Sequence, residues 1–489
     1  MVPAVNRARV LEELSKSHFD LLVIGAGIVG SRIAYDGARA GLRVALVDAG
    51  DFGHATSSAS SKLIHGGLRY LPMGDLALIR VAHLERVALM TRVAPHLVRP
   101  LRFLLPVYGG GPHRTALIAA GLFVYAALSG FREAEIQVVR PARAHDLIPA
   151  VQLRGMRSAA LYEDAQTHDS RLVLATVAGA AREGAVVVNY AEVTALDRGL
   201  AQVRVGGEAL EVSFKHAVNA AGPWVDRVRM LEHPGCAPVT RLSKGVHLLM
   251  PGVKDWQAAL AVPLPRDRVA FAVPWLGMLL LGTTDTEYEG DPGAVSVTDE
   301  DVETVLKEAA RGLPPELLRR ELIRYSFAGL RVLPVGEGDT ALAHRGHVVH
   351  VGSKGVVSVA GGKLTTHRQI ARDVLRRLPG KPPELRHDSL PGAGPLPPRP
   401  EALEPDVWTH LTHLYGSEAD RVLAYPGAAE RIHPEGPDVW GQVLYAAEQE
   451  WALTPDDVTR RRTTLDIRGL TTPTIRERIT TLLAGRVSR

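Results

Sequence analysis

Cysteine is almost missing: Cys236 is the single one in 489 residues. That excludes an internal disulfide framework and fits a reducing compartment. One thiol alone reads as an inert side chain, and no metal site is expected. Long apolar runs are scarce too. The longest uncharged stretch, Thr115 to Phe131, "TALIAAGLFVYAALSGF", sits at the low edge of what crosses a bilayer and is bracketed by Arg114 and Arg132. It reads as a buried helix first, an interfacial contact second and a span last. The opening "MVPAVNRARVLEELSKSHFD" has no apolar core, so no secretory signal is expected. Charge of neither sign dominates. A net charge of +4 suits an acidic small molecule or an anionic membrane surface and lacks the signature of a nucleic-acid binder.

What is present is globular. Hydrophobic residues make up 46% and charged residues 22%, and the length predicts two or three domains. "FDLLVIG" (Phe19 to Gly25) is a short continuous apolar run, as in a parallel strand buried on both faces. A helix over "SRIAYDGARAG" and a second strand, "RVALVDA", follow. Strands recur at "AVVVNYAEV" (Ala185 to Val193), "HAVNAAG", "MLLLGTT" and "GHVVHVGSKGVVSVAGG", which predicts a discontinuous first domain with a second one inserted. Pro379 to Asp406 is crowded with proline and glycine and reads as an extended linker before a helical C-terminal domain.

Gly25-Ala26-Gly27-Ile28-Val29-Gly30 is G-x-G-x-x-G after a strand and before a helix. Gly25 permits the turn, Gly27 the approach of a pyrophosphate, and Gly30 close helix–strand packing. The helix N-terminus favours an anion. Asp48 ends the second strand where it can accept from a ribose, which fits NAD and FAD equally. Two later segments favour FAD. "VNAAGPWVD" supplies small residues beside a flat ring. "GVVSVAGGKLTTHRQIA" offers a second helix N-terminus for a reduced flavin's charge, which an NAD fold does not need.

The segments "DLLVIGAGIVG", "ATSSASSKLIHGGLRYL", "VNAAGPWVD", "LGTTDTEY" and "GGKLTT" together resemble the FAD-dependent sn-glycerol-3-phosphate dehydrogenases, flavoproteins of the D-amino-acid-oxidase-like group. The similarity covers nearly the whole chain, including "RRTTL" at Arg461 to Leu465, and the serine-rich run is its most specific part. It implies an α/β chain with a discontinuous, Rossmann-like FAD-binding domain of the glutathione-reductase/DAO type, an inserted α+β substrate domain and a C-terminal α-helical domain. The oxidoreductase region is expected over 1–387, with FAD-binding parts at about 17–82, 155–235 and 325–387 and substrate parts at about 83–154 and 236–324; the helical domain is expected over 388–489. The cofactor set expected for non-covalent FAD is Gly25, Gly27, Ile28, Gly30, Asp48, Thr56, Ser57, Ser61, Lys62, Leu63, His65, Gly66, Val193, Ala221, Gly222, Trp224, Gly362, Lys363, Leu364 and Thr365.

Oxidising a polyol phosphate needs cations for a dianion, donors for hydroxyls and an acceptor for the carbinol proton as hydride leaves C2 for flavin N5. The resemblance places Arg69, Tyr70, His247, Thr284, Arg331 and Lys363 around the substrate, glycerol 3-phosphate, which would become dihydroxyacetone phosphate. His247 is the first choice for proton acceptor, because imidazole titrates near working pH. Arg331 and Lys363 suit the phosphate or the developing alkoxide, and a lysine of lowered pKa is the rival base. Three departures stand out: Val29 and Ser31-Arg32 in the glycine turn, Asp48 in place of a commoner glutamate, and His168 where an acid is frequent.

Relatives of this kind pass electrons to membrane quinone. The resemblance therefore implies a cytoplasmic protein held peripherally on the inner face of the cell membrane. Arg80, Arg86, Arg92, Arg99 and Arg102, set against the single acid Glu85, suit anionic headgroups or a merely solvated face. The arginines of the last thirty residues suit a homodimer contact equally well. An oxidase using oxygen and making hydrogen peroxide has the same motifs; an amine or amino-acid oxidase would need only one carboxylate-binding arginine.

Overall fold

The structure is a computed structural model that describes residues 6–67, 75–109, 111–129, 136–265, 268–335, 346–378 and 388–487. Arg69 and Tyr70 lie outside the described residues. Two sheets organise the chain. In the first, of eight strands, the central strand His18–Ile24 lies parallel to both Val44–Val47 and Glu208–Asn219. Val186–Val188 extends the parallel set on one side and Val357–Gly361 on the other. Phe19, Leu21, Leu22 and Val23 are fully buried, as the unbroken apolar run requires of a strand covered on both faces. The helix Ile28–Arg39 packs on one face against Asp169–Arg182 and His367–Leu375. The parallel strands of this first sheet point their carboxyl ends toward the same edge, where ligands of such sheets bind.

The second sheet has ten strands and is mostly antiparallel. Its longest pairings join Val98–Tyr108 to Met156–Thr167, and Thr240–Pro251 to Tyr325–Pro334. The sequence assigned 156–167 and 325–334 to the FAD-binding parts. Both pair inside the second sheet, because each finds its hydrogen-bond partner in a strand distant along the chain. The expected strand 185–193 is two strands, Val186–Val188 and Ala191–Asp197, broken where Tyr190 takes a positive φ of 52°.

The apolar run near 115–131 forms the helix Gly111–Ser129. Leu122 and Tyr125 are buried, whereas Phe123 and Val124 are 64% and 40% exposed. Among the described residues no helix is long and apolar enough to cross a membrane. The five clustered arginines do not share one face. Arg86 is fully buried against Asp164, Arg92 pairs with Asp388, and the Arg99 side chain donates to the His96 carbonyl.

The C-terminal helices include Pro405–Tyr415, Trp440–Gln449 and Pro473–Val487. They are fastened to the first sheet by charge. Asp51, 2% exposed, accepts from Arg462 Nη2 at 2.8 Å, Arg461 Nε at 2.5 Å and Asn189 Nδ2 at 3.2 Å. The "RRTTL" segment is thus a docking device, and two of the C-terminal arginines are used within the chain. Asp388, in the first half of the expected linker, receives Arg32 at 2.8 Å and Arg368 through its Nε at 2.9 Å. That accounts for Arg32, fully buried in the glycine-turn helix. His168 also has a local role: it caps the helix Asp169–Arg182, accepting from the Arg171 amide.

Burial pushes the Asp51 carboxyl upward, but Arg462 and Arg461 more than offset it and hold it at about 2. Its stabilisation is therefore complete above the ordinary aspartate value and disappears as pH falls toward 2. Asp51→Asn should leave the buried Arg462 without a paired carboxylate and Arg461 with Asp457 alone, at a cost of about 3–5 kcal/mol. Thermal unfolding together with protease cleavage between residues 388 and 404 measures it; an unchanged melting temperature and cleavage rate would refute the clamp.

Candidate active site

A cavity of about 1740 Å³ opens at the carboxyl edge of the first sheet and runs along the second. At one end, the strand His18–Ile24 gives way to the glycine turn. Gly25 has φ of +100°, and a Cβ there would lie 2.7 Å from the Ala220 carbonyl oxygen. At Gly30 a Cβ would overlap the Gly25 carbonyl at 1.8 Å. Gly27 faces Ser57, whose Oγ accepts from the Ile28 amide at 3.0 Å. Asp48 accepts from the amides of Ala26 at 2.6 Å and Gly50 at 2.9 Å, so this carboxylate first fixes the turn. Lining the same end are Val193, Ala221, Gly222 and Trp224.

The serine-rich run crosses from one sheet to the other. Thr56 Oγ1 donates to the Leu330 carbonyl at 2.7 Å, and Leu63–Ile64 joins the second sheet. Thr56, Ser57, Ser61, Leu63 and His65 line the cavity; Lys62 and Gly66 do not. Lys62 takes a positive φ of 60° and buries its ammonium against Asp169, at 2.7 Å. Gly66 donates its amide to Asp164 at 2.8 Å, and a Cβ there would strike the Tyr125 hydroxyl at 2.3 Å. On the far side the turn after Val357–Gly361 brings Gly362, Lys363, Leu364 and Thr365 to the cavity. Gly361 and Gly362 have φ of +77° and +89°. Thr365 Oγ1 accepts from the His65 amide at 3.1 Å, which joins this turn to the serine run.

Arg331 and His247 enter from paired strands of the second sheet. Arg331 Nη2 donates to Thr283 Oγ1 at 2.8 Å and to the Thr284 carbonyl at 3.0 Å; Asp285 stands 3.8 Å away. Thr283 lines the cavity. Thr284 is set behind it, its hydroxyl accepting from the Val246 amide at 3.0 Å. Gly245 leaves room for the guanidinium, since a Cβ would sit 2.5 Å from Arg331 Nη2. His247 is 3% exposed, stacks on Phe327 at 5.0 Å, and shares a 2.9 Å hydrogen bond between its Nε2 and Ser61 Oγ. Its buried Nδ1 has no partner among the described residues. Burial foremost, then the charges of Arg331 and Lys62, hold His247 well below the ordinary histidine value. The imidazole is therefore neutral and able to accept a proton.

Of the expected residues, His247, Arg331 and Lys363 therefore share one cavity with most of the cofactor set. Sequence reading missed His54, Gly245 and Asp164, which also line or shape it. His54 carried a usable signal: a titratable side chain six residues beyond Asp48. The remaining branch is apolar, with Leu105, Pro106, Val107, Ile118, Leu122 and Leu264 in its wall.

The donor set fits FAD: a glycine turn held tightly at a helix N-terminus, a carboxylate at the second strand end, and a second glycine turn that faces the first across the cavity. Gly25→Ala should abolish FAD retention, because the added methyl meets the backbone of Ala220 in a conformation already unfavourable for alanine. The flavin absorbance-to-protein ratio after purification tests this; a ratio equal to wild type would remove the turn from the cofactor site.

The chain matches the family described as FAD dependent oxidoreductase over residues 20–368, and the C-terminal domain of alpha-glycerophosphate oxidase over residues 356–488. It is 35% identical to a glycerol-3-phosphate dehydrogenase of Synechocystis, covering 94% of this chain and 90% of that one. It is also 35% identical to glycerol-3-phosphate dehydrogenase 2 of Mycobacterium bovis, covering 94% and 83% respectively. Among solved structures, the glycerol-3-phosphate dehydrogenase of Bacillus halodurans, complexed with FAD, superposes with a TM-score of 0.74 at 25% identity, covering 100% of this chain and 98% of that one. FAD is the cofactor, and the chain belongs to the FAD-dependent glycerol-3-phosphate dehydrogenase family.

Proposed function

We propose that this protein oxidises sn-glycerol 3-phosphate to dihydroxyacetone phosphate and passes the electrons to a membrane quinone. The observation that carries the reading is the meeting of Arg331, Lys363 and a neutral His247 in one cavity with the FAD-binding turns. Bound FAD supplies the hydride acceptor. Arg331, held in plane by Thr283 and the Thr284 carbonyl, binds and orients the phosphate. Lys363 adds a second positive charge from the opposite turn. His247 accepts the C2 hydroxyl proton from the cavity side, while the Ser61 hydroxyl at Nε2 and the Phe327 ring fix the imidazole plane. Thr284 holds the strand geometry behind the site. Arg69 and Tyr70 complete the proposed substrate set, and the cofactor contacts are those that line the glycine-turn end of the cavity.

The apolar branch supports a hydrophobic acceptor. It runs beside the helix Gly111–Ser129, whose other face exposes Phe123 and Val124; the neighbouring helix Leu76–Ala88 exposes Leu76 and Leu84 at 45% and 56%. Such a surface suits peripheral membrane contact, with quinone reaching the cavity from the lipid. A cytoplasmic location on the inner membrane face follows from that reading. The second reading, an oxidase reducing oxygen to hydrogen peroxide, draws support from the C-terminal match to alpha-glycerophosphate oxidase.

Anaerobic addition of sn-glycerol 3-phosphate should bleach the flavin band; an unchanged spectrum would remove the substrate assignment. Arg331→Ala should lower kcat/KM about 10²-fold, the worth of a lost charge-assisted pair, with FAD still bound. Reoxidation of the reduced enzyme in a stopped-flow instrument should be fast with a soluble quinone and slow with oxygen. The reverse order would favour the oxidase.

A further inference from the structure

The loop after the second strand carries a titratable group that no step above uses. His54 lines the cavity beside Trp224 and Asp48, and 32% of its side chain remains exposed there. Nδ1 lies 2.9 Å from the Asp51 carbonyl oxygen and 3.3 Å from Asp48 Oδ1. The ring is tilted by 33° against Trp224, with centroids 5.5 Å apart, and Trp224 lines the same cavity. Gly50 makes room for it: a Cβ there would come within 2.8 Å of Nδ1. One ring nitrogen, Nε2, has no partner among the described residues. The imidazole is therefore anchored on one edge by an acid and a carbonyl and held on its face by an indole. Its other edge is left for whatever fills the cavity.

The occupant of this end is FAD, whose oxidised form carries its negative charge on the diphosphate. We infer that His54 is a cofactor-binding side chain that presents a cationic N–H to the anionic part of FAD, so that the hold on the cofactor weakens as the imidazole loses its proton. This rests on FAD binding alone and stands whichever substrate or acceptor the enzyme uses.

The surrounding charges set the sign. Burial disfavours the imidazolium most, but the hydrogen bond and attraction to Asp48, with the Asp51 carbonyl, outweigh it and raise the His54 pKa. Arg461, from the C-terminal domain, acts against that rise. The Asp51 carboxylate is occupied by Arg461 and Arg462, so only its carbonyl serves His54. Glu192 and Arg227 line the same cavity, and Arg227 is paired with Asp291 at 2.8 Å. The hold on FAD is thus full below the raised His54 pKa of the apoprotein and is lost as pH rises through the still higher value that the bound anion gives the complex.

The test is the dissociation constant of FAD, read by flavin fluorescence on apoprotein between pH 6 and 9, for wild type, His54→Gln and His54→Ala. Wild type should weaken about fivefold across that range, the scale of one partly screened charge contact. Both variants should bind FAD with no such slope, and His54→Ala more weakly than wild type at pH 6. A wild-type constant that does not change with pH overturns the inference without any variant. So does a slope that survives in His54→Ala, because another group would then be titrating. Circular dichroism of the apoproteins shows whether a weak variant is folded; if neither variant folds, the wild-type slope decides.

Discussion

The buried ion pair between Lys62 and Asp169 holds the two sheets in register around the cavity. Lys62 Nζ lies 2.7 Å and 2.9 Å from the two carboxylate oxygens and donates to the Ser58 carbonyl at 2.6 Å. Asp169 sits in the first turn of a helix from the first domain, where the macrodipole favours an acid. The Lys62 ammonium meanwhile stands over the Trp275 and Phe327 rings of the second sheet, at 5.3 Å and 4.8 Å. Ser60 donates to the same aspartate through both its amide and its hydroxyl. The next residue before the lysine, Ser61, is thereby placed against His247. One pair thus fixes the cofactor run, the Phe327 ring beneath the imidazole and the imidazole itself. Its desolvation is tolerable because every listener to the charge, from Ser58 to Phe327, is already in position.

A second set of charges ties the C-terminal helices to the cofactor loop rather than to a passive surface. Asp48, Asp51 and His54 lie within seven consecutive residues. Asp51 is clamped by Arg461 and Arg462, and Asn189 bridges it to the Trp451 carbonyl at 2.8 Å. Nearby, Arg171 pairs with Glu450 at 2.7 Å and lies over the Tyr415 ring at 4.1 Å. The loop that frames one end of the cavity is therefore tied to the last hundred residues by buried charge. This gives the helical domain a structural role although none of its described residues lines the cavity.

Local patterns in the sequence carried the parts of this arrangement that depend on local geometry. Gly25, Gly27 and Gly30 announce the turn because only glycine fits the positive φ and the close contacts with Ala220 and Gly25 itself. Asp48 was visible as the acid at a strand end. The paired strands around Lys363 were legible from alternating apolar runs and the double glycine. What stayed hidden depends on partners far along the chain. Nothing in the serine-rich run shows that the Lys62 ammonium is paired with Asp169, 107 residues away. Arg86 looks like part of a lipid-facing basic stripe until Asp164 buries it. That 156–167 and 325–334 pair within the second sheet was hidden for the same reason, because local pattern does not name a strand's neighbour.

The cations that remain at the cavity explain why His247 suits a proton acceptor despite a pKa far from neutrality. Lys62 has Asp169 and Lys244 has Asp301, at 2.6 Å, so both charges are balanced within the fold. Among the described residues Asp285, at 3.8 Å, faces Arg331, and the guanidinium charge still acts on His247. That field, added to burial, holds the imidazole neutral and basic-side free. In the proposed reaction a phosphate dianion at Arg331 would cancel much of it, and the cancellation would raise the affinity of His247 for a proton as the substrate hydroxyl loses one. Without the anion, protonating His247 would bury an unbalanced charge beside Arg331. Substrate charge and base strength are thereby coupled through a single guanidinium, which suits the site to a phosphorylated alcohol better than to a neutral one.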